Sequence, residues 1–108
     1  MTCYPAGTIA VIFVAQRTAQ DGAGYAEAAE EMIQLAQQQP GYCGIDSVRD
    51  ANGLGITVSY WADDTAAKAW RDHPRHRAIR DAGRDRWYSH YDLHVAATER
   101  SYDWEKAQ

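Results

Sequence analysis

The sequence predicts an α+β fold, a four-stranded antiparallel sheet with helices on one face. Three observations carry that expectation. Strand-like and helix-like segments follow in the order βαββαβ, the two middle strands are joined through Asn52-Gly53, and the first strand is apolar on both sides. A chain of 108 residues has room for one core. We therefore read 1–108 as a single domain.

Residues 7–17 read as a strand. Ile9, Val11, Phe13 and Ala15 point one way, and Ala10, Ile12, Val14 and Gln16 the other. Both sets are largely apolar, so this strand needs cover on both faces. Residues 21–39 read as an amphipathic helix. Tyr25, Ala29, Met32 and Ala36 recur at helical spacing, and Ala28, Ile33 and Leu35 widen the stripe. Glu27, Glu30 and Glu31 fall early in it, where the helix dipole favours acids. Pro40-Gly41 ends it.

Residues 42–50 and 54–61 read as a hairpin, because Asn52-Gly53 supplies the positive φ a tight turn requires. In the second of these strands Leu54, Ile56, Val58 and Tyr60 share a face, and Gly55, Thr57, Ser59 and Trp61 share the other. Asp63-Asp64-Thr65 offers an N-cap for a helix to about Asp72. Pro74 breaks that helix but suits the first turn of a second, offset piece, ended near Gly83. His73 is placed to cap this piece. A last strand, 89–100, carries Tyr91, Leu93, Val95 and Ala97 on one face and His90 and His94 on the other.

This order is the ferredoxin-like split βαβ arrangement. Helices then cover one sheet face only. Ala10, Ile12 and Val14 are left bare, and a second copy of the chain is the economical cover, giving a homodimer through the open sheet face. The tails 1–6 and 103–108 are expected to be flexible or to dock across such a dimer.

Composition is ordinary for a soluble globular protein, 45% hydrophobic and 24% charged. A net charge of -4 speaks against a general nucleic-acid binder. Seven of the eleven basic residues nonetheless fall between Lys68 and Arg86, with only Asp72, Asp81 and Asp85 among them. The plain reading is a solvated helix face, and the sharper one is a local anion or carboxylate site. Cys3 and Cys43 make neither a disulfide framework nor a zinc spacing, and are expected as free thiols in a reducing compartment. No leader pattern opens the chain, and no apolar run approaches the roughly 18 residues of a membrane span. The expected location is cytoplasmic, with no membrane partner.

The chemistry-bearing stretch is Trp70-Arg71-Asp72-His73-Pro74-Arg75-His76, running on to Gly83-Arg84 and Trp87-Tyr88. Trp70 would give a flat ligand an apolar wall and a ring N–H. His76 suits a general base, since imidazole titrates near neutral pH. Arg80, one helical turn on, would stabilise a phenolate or a peroxide-like anion. Gln16, His73, Tyr91 and Trp61 are candidate substrate-binding groups. Each also has a plain reading as core aromatic, polar sheet contact or solvated cation. His90 and His94 share a strand face, but no third ligand sits at a telling spacing, so no metal site is expected.

Together these features resemble the antibiotic biosynthesis monooxygenase family of dimeric α+β barrels. The resemblance covers nearly the whole chain. It rests on the element order, Ser59-Tyr60-Trp61 before an acidic cap, Trp70 then His73-Pro74-x-His76, and Trp87-Tyr88 leading to Glu99-Arg100-x-Tyr102. It implies a pocket in each subunit between sheet and helices. It also implies a cofactor-free oxidation, by molecular oxygen, of a small aromatic, phenolic or quinone-type compound. Trp70, His76 and Arg80 would then be catalytic. Haem-degrading relatives suggest an alternative with haem as cofactor. There an Asn on the first strand, a helix Trp and an iron-ligating His about ten residues later are typical. Gln16 and Trp70 stand at the first two positions, but the third is Arg80, with His76 one turn early. A non-catalytic ligand-binding or structural dimer is the remaining reading.

Overall fold

β1 (Ile9–Arg17) is apolar on both sides because it lies in the interior of the sheet. In the computed structural model, which describes residues 3–107, it runs antiparallel between β3 (Leu54–Trp61) and β4 (Tyr88–Ala97). β2 (Tyr42–Arg49) pairs antiparallel with β3, giving the order β2-β3-β1-β4. Three helices, α1 (Gly22–Gln37), α2 (Asp64–Arg71) and α3 (Pro74–Ala82), accompany the sheet. This is the ferredoxin-like arrangement expected from the element order. Met1, Thr2 and Gln108, the outermost residues of the two expected tails, lie outside the described residues.

The strand register separates the two sheet faces. On one, Ile9 lies between Trp61 and Ala97, and Val11 between Ser59 and Val95. This face meets the helices. Its core is Trp61, fully buried, with Ala36, Ala67 and Trp70, and with Ile9, Val11, Met32, Leu35 and Tyr42 packed around them. On the other face, Leu54 and Ile56 of β3 and Val48 of β2 are 47%, 42% and 70% exposed. Ile12 and Val14 of β1 lie among them, half-buried.

Local chemistry sets the helix boundaries. Asp21 caps α1 from a left-handed conformation (φ 52°), its carboxylate accepting from the Gly24 N–H at 3.1 Å. A side chain on Gly24 would collide with that carboxylate. The first turn of α1 holds no acid, contrary to the expected dipole pattern; Asp21 takes that place as the cap. Glu31 instead reaches α3, where its Oε1 accepts from Arg75 Nη2 at 2.8 Å. α2 is capped by Asp63, whose carboxylate accepts from the Ala66 N–H at 2.8 Å. The break before Pro74 is as expected, and His73 Nδ1 caps α3 by accepting from the Arg75 N–H at 3.1 Å.

Two expected boundaries moved. The hairpin lies where Asn52-Gly53 placed it, with β2 ending at Arg49, one residue before the expected Asp50. The Gly53 N–H returns to the Asp50 carbonyl at 3.2 Å, and Gly53 alone takes positive φ (90°). Asp50 also accepts from the N–H groups of Asn52 and Leu54, both at 2.9 Å, so its carboxylate organises a longer loop. Nor does Gly83 end the last helix. It stays right-handed and opens a π-helical turn, Gly83–Trp87, which delivers Trp87 into the core. β4 therefore starts at Tyr88 and ends at Ala97. Cys3 and Cys43 are free and exposed, and no helix of the described residues is long and apolar enough to cross a membrane.

Because Trp61 has no exposed surface and its Nε1 already has a partner in Ser59 Oγ (3.0 Å), its truncation has no relief. Trp61→Ala should cost about 3–5 kcal/mol in denaturant unfolding. A loss below about 1 kcal/mol would mean that the site collapses around the smaller residue.

Candidate active site between the helices and the sheet

An aromatic column crosses the molecule from β2 to α3. Tyr42 meets the Trp61 edge at 5.8 Å, Trp61 stacks on Trp70 at 5.9 Å and 23°, and Trp70 stacks on His76 at 4.3 Å and 17°. The column exists because α2 stops one residue after Trp70 and α3 restarts at Pro74. The capped turn between them carries the chain back, so that His76, six residues on, lies over the Trp70 ring.

The backbone also fixes the imidazole. His76 Nδ1 lies 2.9 Å from the Trp70 carbonyl. A carbonyl can only accept, so Nδ1 carries the proton, and in neutral imidazole Nε2 keeps a free lone pair. Burial pushes the His76 pKa below its ordinary value; the nearby positive charges of Arg80 and His73 push the same way, and the carbonyl contact opposes them. His76 is thus held as a neutral base. Arg80 lies over the end of α2, where its Nη2 donates to the Arg71 carbonyl.

On the helix side of the sheet, part of β4 stays uncovered. None of the α3 residues is fully buried, and His76 and Ile79 are half-buried. Leu93 and Val95 sit on the helix side of β4, paired with Phe13 and Val11, yet are 52% and 56% exposed. Val11 also packs against the cluster that holds Trp70. Val11 thus links the exposed apolar face of β4 to the buried Trp70, whose two faces are taken by Trp61 and His76, leaving the half-buried His76 ring as the outer end of the column. That combination suits a flat, apolar ligand with an acidic proton.

The structure brings Trp70, His73, His76 and Arg80 together. His73 is engaged as the α3 cap, with its ring tilted 5.7 Å from Trp70. Trp61 stands behind Trp70, sealed in the core, and backs it rather than lining the site. Tyr91 belongs to a neighbouring cluster. Its ring is 5.1 Å from Phe13, and its hydroxyl accepts from Arg84 Nε at 2.7 Å. Gln16 is not with them. It shares the open sheet face with Leu54 and His90, and its Nε2 donates to the Asn52 carbonyl at 2.7 Å.

The basic stretch is mostly paired. Lys68 meets Asp64 at 2.9 Å, Arg71 meets Asp72 at 2.9 Å, Arg75 meets Glu31, and Arg86 meets Asp21 at 3.3 Å. For these four the solvated-face reading holds. Among the described residues no group of three His, Cys, Asp or Glu side chains is placed to hold a metal ion.

Two features were not anticipated from the sequence. One is the exposed face of β4. Its signal was the polar α3 segment, Pro-Arg-His-Arg-Ala-Ile-Arg-Asp-Ala, which has too little apolar surface to roof a strand. The other is a cation stack at the far end of the sheet. Arg17 lies 3.9 Å above the Tyr25 ring, and Arg49 Nη2 donates to the Tyr25 hydroxyl at 2.7 Å. Its signal was Gly55 inside a strand, where any side chain would strike the Arg49 guanidinium. The nearby Tyr88 phenol is raised well above its ordinary pKa by burial, with Tyr25 beside it adding to the effect.

The sheet order and the helices on one face place the chain in the ferredoxin-like class of small α+β proteins. Within that class the chain belongs to the antibiotic biosynthesis monooxygenase family, whose model matches residues 8–82. It is 47% identical over 91 residues to the uncharacterized protein YqjZ of Bacillus subtilis (strain 168), covering 84% of this chain and 79% of that one. Among solved structures it resembles a cofactor-independent oxygenase, SnoaB, from Streptomyces nogalater. The TM-score is 0.74 at 13% identity, over 86% of this chain and 94% of the other. A conserved protein from Methanosarcina mazei Go1 aligns with TM-score 0.73 at 9% identity, over 82% and 90% of the two chains. At such identities the structural likeness speaks for the fold.

The His76 environment has a pH consequence. Its folded pKa lies below the unfolded one near 6.5, so the unfolded chain binds this proton first. Stability from this group is complete above about pH 6.5 and declines as pH falls from there towards the folded pKa. NMR titration should show a His76 midpoint below that of an exposed histidine, and His76→Gln should remove this part of the acid sensitivity.

Proposed function

We propose that the protein is a cofactor-independent monooxygenase that uses molecular oxygen on a small aromatic, phenolic or quinone-type substrate. The observation that carries this reading is the neutral His76, stacked on Trp70 and held through Nδ1 so that Nε2 is left to accept a proton. Membership of the monooxygenase family and the fold shared with a cofactor-independent oxygenase support it.

In this proposal the substrate ring lies on the exposed apolar face of β4, with His76 presented to it and Trp70 holding the imidazole from behind. Nε2 of His76 takes the phenol proton, and the electron-rich ring passes one electron to oxygen. The two radicals join to form a ring–peroxide bond. The O–O bond then breaks, leaving one oxygen on the ring as the quinone carbonyl. The other leaves as water, carrying the proton from His76 and the hydrogen displaced from the ring. The sum is phenol plus O2 to quinone plus water. Arg80 supplies positive charge near the phenolate and peroxide, strongest where water is excluded. His73 holds the α2–α3 turn. Tyr91 sits on the same face of β4 beside Phe13, and Trp61 keeps Trp70 in place. Gln16, on the other sheet face, acts through the hairpin it holds.

Haem is the second reading, favoured by one feature: a histidine with Nδ1 on a carbonyl and Nε2 free is oriented as metal-ligating histidines are. It offers an iron one ligand. Titration with haem discriminates the two readings, since a saturable Soret band lost in His76→Ala would support iron ligation.

The reading includes a homodimer through the open sheet face, where Val48, Leu54 and Ile56 stand bare. Free, exposed cysteines suit a reducing, cytoplasmic setting.

Oxygen uptake with a panel of phenols and hydroquinones tests the chemistry. His76→Ala should lower kcat about 100-fold, and Arg80→Ala about tenfold, with far-ultraviolet circular dichroism unchanged. Wild-type turnover in both variants would eliminate the assignment. For the dimer, light scattering should return about twice the 12.1 kDa chain mass at micromolar concentration; a monomer would refute it.

A further inference from the structure

Arg17 and Arg49 are two neighbouring cations without an acid. Among the described residues neither lies within ion-pair distance of a carboxylate, whereas Lys68, Arg71, Arg75 and Arg86 each do. Both converge on one ring. The guanidinium carbon of Arg17 lies 3.9 Å from the Tyr25 ring centre, and that of Arg49 lies 5.3 Å from it. Their separation cannot exceed those two distances laid end to end. An oxyanion shared by two guanidinium groups sits about 4 Å from each carbon, so one such anion is of a size to bridge them.

The partners they have are neutral. Arg17 Nη1 donates to the Trp87 carbonyl at 2.8 Å, Arg49 Nη2 donates to the Tyr25 hydroxyl at 2.7 Å, and Arg49 Nη1 donates to the Gly53 carbonyl. A guanidinium has five N–H donors, so each keeps unused ones. The Tyr88 phenol beside them does not supply the missing negative charge, because burial holds its pKa well above the ordinary value. The acids nearest along the chain are engaged elsewhere, Asp21 with Gly24, Arg86 and Trp87, and Asp50 with its own loop.

Clamping α1 to the sheet explains one arginine over Tyr25, but not the second. Arg49 is exposed on the edge strand β2, where its charge would be best solvated by turning outward. It instead lies inward across β3, so close over Gly55 that a Cβ there would fall 2.6 Å from the guanidinium carbon. Two like charges brought onto one ring repel each other, and a bound anion would offset that repulsion.

The pair lies on the helix side of the sheet. Register aligns Arg49 with Gly55, and Gly55 with Ala15 of β1. Two residues back along β1 is Phe13, paired with the exposed Leu93. Two further is Val11, which packs against the cluster that holds Trp70. The cations and the Trp70–His76 end of this face are therefore about 13 Å apart along the strand. A single ring is too short to reach both. Two fused rings, with substituents at opposite corners, are long enough once the side chains at each end are added.

We propose that Arg17 and Arg49 form an anion subsite, and that the substrate is a fused-ring phenol carrying a carboxylate at the end remote from its hydroxyl. The proposal rests on the oxygenase reading above and adds the charge and length of the substrate.

Binding is measured without turnover, under nitrogen, from the fluorescence of 6-hydroxy-2-naphthoate and of 2-naphthol. The two share the phenol and differ in the carboxylate. The wild-type chain should bind the acid about tenfold more tightly, and added salt should shrink that preference. Arg49→Met should abolish the preference and leave the affinity for 2-naphthol in place. Gly55→Ala is the second variant. It keeps both charges but displaces the Arg49 guanidinium, so it should reduce the preference as well, with circular dichroism confirming that both variants are folded. Equal binding of the two compounds by the wild-type chain, or a preference that survives in Arg49→Met, overturns the proposal. Inorganic phosphate separates a substrate group from a free anion. Phosphate that displaces the acid but not 2-naphthol supports the subsite. Phosphate binding that is lost in Arg49→Met, with no preference for the acid, assigns the pair to a free anion and overturns the substrate assignment. If the phenol panel gives no oxygen uptake while the preference stands, the oxygenase reading fails and the anion subsite remains.

Discussion

Trp70 is clamped between Trp61 and His76, and the candidate site depends on that clamp. Trp61 is fully buried, and its ring N–H is satisfied by Ser59, so it presents a fixed flat face. Trp70 packs on that face and in turn offers its other side to the imidazole. Burial of such rings is among the largest single contributions in a small core. The same packing that stabilises the sheet–helix contact also desolvates His76. The neutral base is therefore a consequence of core packing and of one backbone carbonyl, with no acid needed beside it.

The helices are held differently along their lengths. α1 and α2 bury alanines against the sheet and the two tryptophans. α3 has no fully buried residue, and it is held by the Glu31–Arg75 pair, by the His76–Trp70 stack and by the π-helical turn that follows it. Leu93 and Val95, on the helix side of β4, stay half open. Asp21 ties the start of α1 to the π-helical turn, since its carboxylate caps α1 and also accepts from Trp87 Nε1 at 3.1 Å. Those bonds hold its pKa below the usual carboxylate range.

Family membership fixes the architecture and leaves the chemistry to the site. Here the site offers a half-buried imidazole, a guanidinium one helical turn on, and an exposed apolar strip on β4.

Much of the fold was legible in the sequence. Period-two apolarity placed β1 and β3 and assigned their faces correctly, because side-chain alternation in a strand is geometric. Pro74 and the acidic residues before α2 placed the helix break. The turn chemistry was less legible. Asn52-Gly53 placed the hairpin, but Asp50 captured the loop with its own hydrogen bonds. Gly83 looked like a helix end, yet Trp87 gained burial by letting the helix continue as a π turn. For the site, the sequence marked Trp70, His73, His76 and Arg80 by residue type and helical spacing, which are local properties. It could not separate Gln16 and Tyr91 from them, since a strand residue's face means nothing until the helices choose a side. The sequence by itself determined the element order, the two-sided hydrophobicity of β1 and the imidazole next to a tryptophan. Only the tertiary structure decided that burial lowers the pKa of this imidazole, that Trp61 is sealed in the core, and that the helix side of β4 stays open. The reason is physical: burial, stacking and electrostatic environment depend on distances between segments that are remote in the chain.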